Sequence, residues 1–294
     1  MPDDTSSAEG TLLVPVANAE TAERQLGTAI DVATDRSYRI LFVYVLAVPP
    51  QLSLQDGYRY LLEDETEAML DDAVQAVDAQ GVPVDRRIRM ARGVATGIVG
   101  AAEKYDAEAV LLGWRGRPPR ENVVLGSHLD TVLRDAGRDV LVQRIQTPRP
   151  DVESVLVPVV GGPHDEFAAE AGASIARAND AAATLLHVLE SEDSELSREE
   201  ARAVLAERAG AFEDVDQVER ELLEADDVAG AITDRTVEHD LTVLGVSRGG
   251  FLERKLLGTI SEGVGRHAAG TIVLAKRHEP VPSRLSRLAS TLRR

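Results

Sequence analysis

The sequence predicts two tandem α/β domains, each a parallel sheet with helices on both faces. Three observations lead there. The first is an internal repeat. TLLVPVANAE at Thr11 matches SVLVPVVGGP at Ser154, AEAVLLGWRG matches DLTVLGVSRG, and VLGSHLDTVLRDAGRDVLVQR matches LLGTISEGVGRHAAGTIVLAK. The later pairs share an offset of 132 residues and the first pair is offset by 143, so the first copy is eleven residues longer in its middle. The second is the alternation, within each copy, of apolar β-rich runs with helical spacing, which implies parallel strands joined by crossover helices. The third is composition. Hydrophobic residues make up 44% of the 294 but aromatics only 3%, so the cores are aliphatic.

The elements follow in order. In copy one the strands are Leu12–Val16, Ile40–Val48, Val84–Met90, Ala109–Gly113 and Val140–Ile145. The helices between them are Thr21–Asp35, a long amphipathic Asp56–Gln80 that stops at Gly81, Gly97–Tyr105, and Ser127–Asp135. Copy two repeats this with strands Val155–Val160, Ala183–Leu189, Gln217–Leu223, Leu241–Val246 and Thr271–Ala275. Its helices are Glu166–Ala178, one from about Ser197, Val228–Glu238, and Thr259–Ala268. The boundary is the proline-bearing linker Thr147–Asp151. This divides the chain into an acidic N-terminus (residues 1–9), domain 1 (10–146), domain 2 (151–277) and a tail (278–294).

Charge excludes some functions. The 50 acids outnumber the 32 bases, of which only three are lysine, and the net charge is −18. Domain 1 carries a balance of −5 and domain 2 of −14. Such a surface suits a cytoplasm holding molar salt, where screening acts over about 3 Å. It argues against a nucleic-acid binder, which needs a basic face. There is no cysteine, hence no disulfide framework and no thiolate site. No run of eighteen apolar residues occurs and the N-terminus MPDDTSSAEG is acidic and polar, so neither a membrane span nor a signal peptide is expected, and the expected location is cytoplasmic.

The stretch from Gly113 to Ser127, GWRGRPPRENVVLGS, concentrates the candidate chemistry. Ligands of parallel α/β sheets bind where strands end and helices begin. Backbone N–H groups at a helix start attract an anion. Glycine permits close approach and positive φ. Ser127 is suited to donate to a phosphate or to cap the helix, and the glycines serve a turn equally well. Arg115, Arg117 and Arg120 are suited to neutralise phosphate or to lie on the surface as loop charges.

The spacing Gly113-x2-Gly116-x9-Gly126-Ser127 resembles the nucleotide loop of the universal stress protein family, G-x2-G-x9-G-[S/T]. The LVPV opening and the closing DVLVQR strand resemble that family too, and both copies are covered. The resemblance implies two Rossmann-like domains of the adenine nucleotide alpha hydrolase type, each a five-stranded parallel sheet of order 3-2-1-4-5. It implies pairing of the domains through their last strands, Val140–Ile145 and Thr271–Lys276. It also implies ATP or AMP as a cofactor, held in copy one by Gly113, Gly116, Gly126 and Ser127, with Gly93 as the small residue beside the ligand. Two departures count against this. The Asp that ATP-binding members carry after the first strand is replaced by Ala17 and Val160, neither of which accepts a hydrogen bond through its side chain. Copy two reads Gly245-x2-Arg248-x9-Gly258-Thr259, with Arg248 in place of the second glycine and acids from Glu224 to Asp227 at the equivalent of the Gly93 turn.

The family also has members that bind no nucleotide. Similar paired domains serve as cytoplasmic parts of amino-acid and ion transporters, whose openings VPVANAETAE resembles, so a transporter is the alternative partner. The expected class is a regulator acting through protein contacts, with the domains paired inside the chain and a further homodimer open. No enzyme is expected. Ser127, His128 and Asp130 are helical neighbours that do not face one another, and His164-Asp165 and His239-Asp240 read as surface histidines. The tail EPVPSRLSRLASTLRR carries Leu285, Leu288 and Leu292 at helical spacing among arginines. That suits packing on the acidic domains, docking on a partner or lying on an anionic membrane.

Overall fold

The computed structural model describes residues 8–115, 127–190, 196–246, 263–264 and 267–279. Gly116, Arg117, Arg120, Gly126, Arg248, Gly258, Thr259, the side chain of Ser127 and the tail from Pro280 lie outside the described residues. So does most of the helix expected over Thr259–Ala268.

The first copy runs β1 (Gly10–Pro15), α1 (Ala19–Asp35), β2 (Tyr38–Ala47), α2 (Leu54–Leu61), α3 (Asp64–Asp78), β3 (Val84–Ala91), α4 (Val94–Lys104), β4 (Ala109–Trp114), α5 (Ser127–Asp135) and β5 (Asp139–Arg144). The second runs β6 (Ser154–Pro158), α6 (Pro163–Ala178), β7 (Ala182–Glu190), α7 (Arg198–Ala209), β8 (Val218–Ala225), α8 (Val228–Arg235), β9 (Leu241–Gly245) and β10 (Thr271–Lys276). All ten strands join one sheet of order β3-β2-β1-β4-β5-β10-β9-β6-β7-β8. Each half therefore has order 3-2-1-4-5. The halves meet through an antiparallel β5–β10 pair, with Val142 opposite Leu274, and the other pairings are parallel.

The strands are apolar on both sides because both faces are covered. Leu12 and Val14 enter the core beneath α1 and α3, while Leu13 between them enters the core beneath α4 and α5. Each core runs through both copies, so Phe42 and Phe167 share one and Val140 and Ile272 the other. No helix among the described residues is long and apolar enough to cross a membrane.

Arginines fasten the halves. Arg177 of α6 holds the Asp35 carboxylate through Nε at 2.6 Å and Nη2 at 2.9 Å. Arg36 reaches Ser174 at 3.2 Å. Arg277 bridges Asp139 and Glu170 and lies 4.9 Å over the Phe167 ring. The linker is bound as well. Arg149 meets Asp31 of α1 at 2.5 Å, and Gly27 leaves room for it, since a Cβ there would lie 3.1 Å from the guanidinium.

One expected element is corrected. The long helix over Asp56–Gln80 is two helices, α2 and α3, because Leu62 is extended at ψ 126° and breaks the run. Ser53 caps α2 by accepting the Asp56 N–H, and an acidic first turn (Asp64, Glu65, Glu67) opens α3.

Candidate functional site

In each copy the first strand stops short of its neighbours. β1 ends at Pro15, opposite Val43, whereas β2 continues to Ala47. On the other side β4 runs four residues past Val110, the partner of Leu13, to Trp114. At about 3.3 Å per residue the β2 wall rises roughly 13 Å and the β4 wall roughly 7 Å above the β1 end. The result is the crevice where open α/β sheets take their ligands.

The floor of the copy-one notch is residues 16–18. Asn18 is the N-cap of α1, and its Oδ1 accepts from the N–H and the hydroxyl of Thr21, both at 2.9 Å. Ala17 and Asn18 are exposed. Arg115 leaves the end of β4 and crosses the notch to Glu20 at 3.0 Å and Asn18 at 3.5 Å. Its guanidinium is half-exposed and already paired with a carboxylate. Gly113 sits below it without a positive φ. The glycine is needed there for space, because a Cβ would meet Ile145 Cδ1 at 2.9 Å and the Gln25 amide at 3.3 Å. Gln25 is fully buried. Its Nε2 donates to the Leu111 carbonyl at 2.9 Å, while its Oε1 finds no partner among the described residues.

Gly93 is the N-cap of α4, extended at φ −158°, and a Cβ there would touch only Thr96 Oγ1, at 3.4 Å. Its neighbour Arg92 ties down the loop after β2 through the carbonyls of Val48, Pro49 and Leu52. α5 begins at Ser127 on the far side of the notch. Gly113 and Arg115 thus stand at the β4 wall of the crevice, and Gly93 follows β3, beyond the β2 wall.

The copy-two notch has the same walls. β6 stops at Pro158, opposite Leu186, while β7 continues to Glu190 and β9 to Gly245. Its floor is different. Gly161 takes φ +93° and turns the backbone N–H groups toward the first turn of α6. Asp165 Oδ2 accepts both, from Val160 at 2.7 Å and Gly161 at 2.6 Å. This carboxylate is 4% exposed. Arg208 of α7, itself buried, lies 3.5 Å from Asp165 Oδ1 and donates to the Gly162 carbonyl at 3.1 Å. His187 of β7 donates from Nδ1 to the Val159 carbonyl at 2.8 Å, and burial holds its pKa below the ordinary range. Gly245 admits the α6 N-terminus, since a Cβ there would meet the His164 and Asp165 backbone at 2.7 to 2.9 Å. Beneath an exposed Val160 and Gly161, the floor donors of this notch are met from within by Asp165.

The two histidines expected at the surface, His164 and His239, are part-buried. Asp165 is buried, His164 Nδ1 accepts the Arg277 N–H at 3.2 Å, and His239 joins the Arg235 carbonyl and Thr184. Asp240 accepts from the N–H groups of Glu153 and Ser154. Among the acids at the equivalent of the Gly93 turn, Asp227 caps α8 and Glu224 pairs with Arg198. No cluster of metal-ligating side chains occurs among the described residues.

A model of the universal stress protein family matches residues 10–144 and again 152–276. The chain belongs to the universal stress protein family. It carries two such domains in tandem. A universal stress protein of Methanocaldococcus jannaschii is 26% identical over 137 residues, which is 45% of this chain and 79% of that one. Among solved structures, a universal stress protein from Archaeoglobus fulgidus superposes with a TM-score of 0.68 at 18% identity, covering 93% of this chain and 98% of that one. The cytoplasmic domain of a prokaryotic cation chloride cotransporter superposes with a TM-score of 0.62 at 10% identity, covering 92% and 96%. At these identities the two superpositions show a shared fold.

The universal stress protein loop pattern pointed to the β4 end of copy one. Sequence reasoning missed Asp165, Arg208, His187 and Gln25. Two of them left a signal, a histidine inside the apolar strand run LLHVL and a Gly-Gly-Pro turn directly ahead of Asp165.

Proposed function

We propose that this chain is a non-enzymatic regulator that takes one adenine nucleotide, ATP or AMP, in its first domain and signals the event through protein contacts. The observation that carries this reading is the difference between the notches. Copy two meets its own backbone donors with the buried Asp165 carboxylate and closes over them with Arg208. Copy one holds no such carboxylate beneath its exposed Ala17 and Asn18, and it keeps room beside Gly93. The glycine loop that would cradle the phosphates is complete only in copy one. Binding would change the surface offered to a partner.

Calorimetric titration of ATP and AMP in molar KCl tests this, with a Gly126→Val variant alongside. The expected result is one nucleotide per chain, lost in the variant. No heat and no shift in melting temperature at millimolar ATP would overturn it.

One observation favours a second reading. The strand-end position that ought to accept a hydrogen bond from the ligand is an exposed Ala17, and Arg115 is already engaged by Glu20. On that reading the chain is an interaction module without nucleotide, docking on the cytoplasmic face of a membrane transporter. A silent titration together with capture of such a partner would favour it.

A further inference from the structure

Arg115 reaches across the copy-one notch with a single nitrogen. Its Nη2 donates to Glu20 at 3.0 Å and to Asn18 at 3.5 Å, while Nε and Nη1 have no hydrogen bond among the described residues. Glu20 lies in the first turn of α1. It gives Oε2 to Arg115 and Oε1 to Arg24, one turn further on, at 3.5 Å. Three side chains thus stand in line, Arg24, Glu20 and Arg115. Copy two lacks all three. Helices α1 and α6 align at the offset of 143 that relates the opening strands, which also brings their C-caps Arg36 and Asn179 together. In that register Pro163 and Phe167 replace Glu20 and Arg24, and at the later offset of 132 Ser247 replaces Arg115. The three charges therefore occur together, in the copy whose glycine loop is complete.

We propose that Glu20 is a positioning residue: it holds Arg115 across the notch so that Nε and Nη1 meet a phosphate of the bound nucleotide. This rests on the nucleotide reading above. A guanidinium presents its N–H donors in a rigid fork, so a contact made through Nη2 leaves the others for a second anion. Such charge-assisted bonds to phosphate are among the strong ones. A side chain already fixed in place also loses less freedom when the ligand arrives. A carboxylate beside a phosphate is repulsive by itself, but two guanidinium groups flank this one and leave the line net positive. In molar salt attraction beyond about 3 Å is screened. Direct contact then decides affinity, and Glu20 sets whether Arg115 stands where it can make that contact. Both side chains are about half exposed, at 46% for Arg115 and 54% for Glu20, so neither carries the fold.

Calorimetric titration of ATP in molar KCl tests this with wild type, Glu20→Ala, Arg115→Ala and the double variant. Glu20→Ala should weaken binding roughly two- to fivefold, the range of an exposed ion pair, although it removes a negative charge beside an anion. Arg115→Ala should weaken binding at least as much, and adding Glu20→Ala to it should weaken it no further, because the two act as one unit. Their melting curves should match that of wild type. Glu20→Ala that binds ATP as tightly as wild type, or more tightly, overturns the proposal. So does a loss that is equal with and without Arg115. Either result leaves the nucleotide reading standing. Absence of binding in all four chains removes that reading, and the positioning role with it.

Discussion

The two notches have one backbone plan and opposite contents. In copy one the first helix is capped by a short neutral side chain, Asn18, and a half-exposed Arg115 spans the opening. In copy two a buried carboxylate and a buried guanidinium from α7 fill it. A strand end in this fold offers backbone donors that must be satisfied. Copy two satisfies them with a buried carboxylate, whereas copy one has only the Asn18 cap at its floor. The departure from the loop pattern at Arg248 and the internal carboxylate Asp165 occur in the same copy.

The largest expected effect comes from removing that carboxylate. Asp165→Ala leaves Arg208 buried without its partner and two N–H groups unpaired, which should cost about 3–5 kcal/mol. The matching cap change in copy one, Asn18→Ala, should cost about 1 kcal/mol. Thermal unfolding of both variants in molar KCl measures the gap, and equal losses would show that the two floors are built alike. Next come the strand-end glycines. Gly245→Ala forces a methyl against backbone and should cost about 1–3 kcal/mol. Gly113→Ala meets only the ends of Ile145 and Gln25 and should fall at or below the bottom of that range. Denaturant midpoints would rank them, and the reverse order would mean that the copy-one wall is the more rigid.

The smallest effect is a pH dependence confined to copy two. His187 occupies the register position that Tyr44 holds in copy one. Burial lowers its folded pKa, against the Val159 hydrogen bond and the Asp165 charge. Above the unfolded value of about 6.5 both states are neutral and the site's full stability is present. As pH falls through that value the unfolded chain takes up a proton the folded site refuses, so stability declines until the folded pKa is reached. His187→Gln should flatten the melting temperature between about pH 7 and 5.5 relative to wild type. Parallel curves would remove His187 from the acid response.

Much of this molecule was legible beforehand. Apolar runs such as LLVP and VLVP sit at equivalent positions of a repeat, and burial on both faces leaves them one solution, a covered parallel sheet. The strand that would otherwise be a bare edge in each copy, DVLVQR and TIVLAK, finds its partner in the other. The α2–α3 break was not legible, because helical spacing continues through Leu61, Leu62 and Glu63 without glycine or proline. Only the cap residues Ser53 and Asp64 to Glu67 hinted at two starts. Asp165 was hidden for another reason. A carboxylate in a first helical turn ordinarily faces water, and its inward turn depends on the positive φ of Gly161, a backbone property that the residue names alone leave open.

The antiparallel seam between β5 and β10 reverses the second copy. The two notches therefore open on opposite edges of one continuous sheet, and five strand spacings of about 4.8 Å separate β1 from β6, a lateral offset of roughly 24 Å. Hydrogen bonds set that interval across the whole width. The open notch of copy one and the internally satisfied notch of copy two are thus held at a fixed lateral interval and face opposite ways.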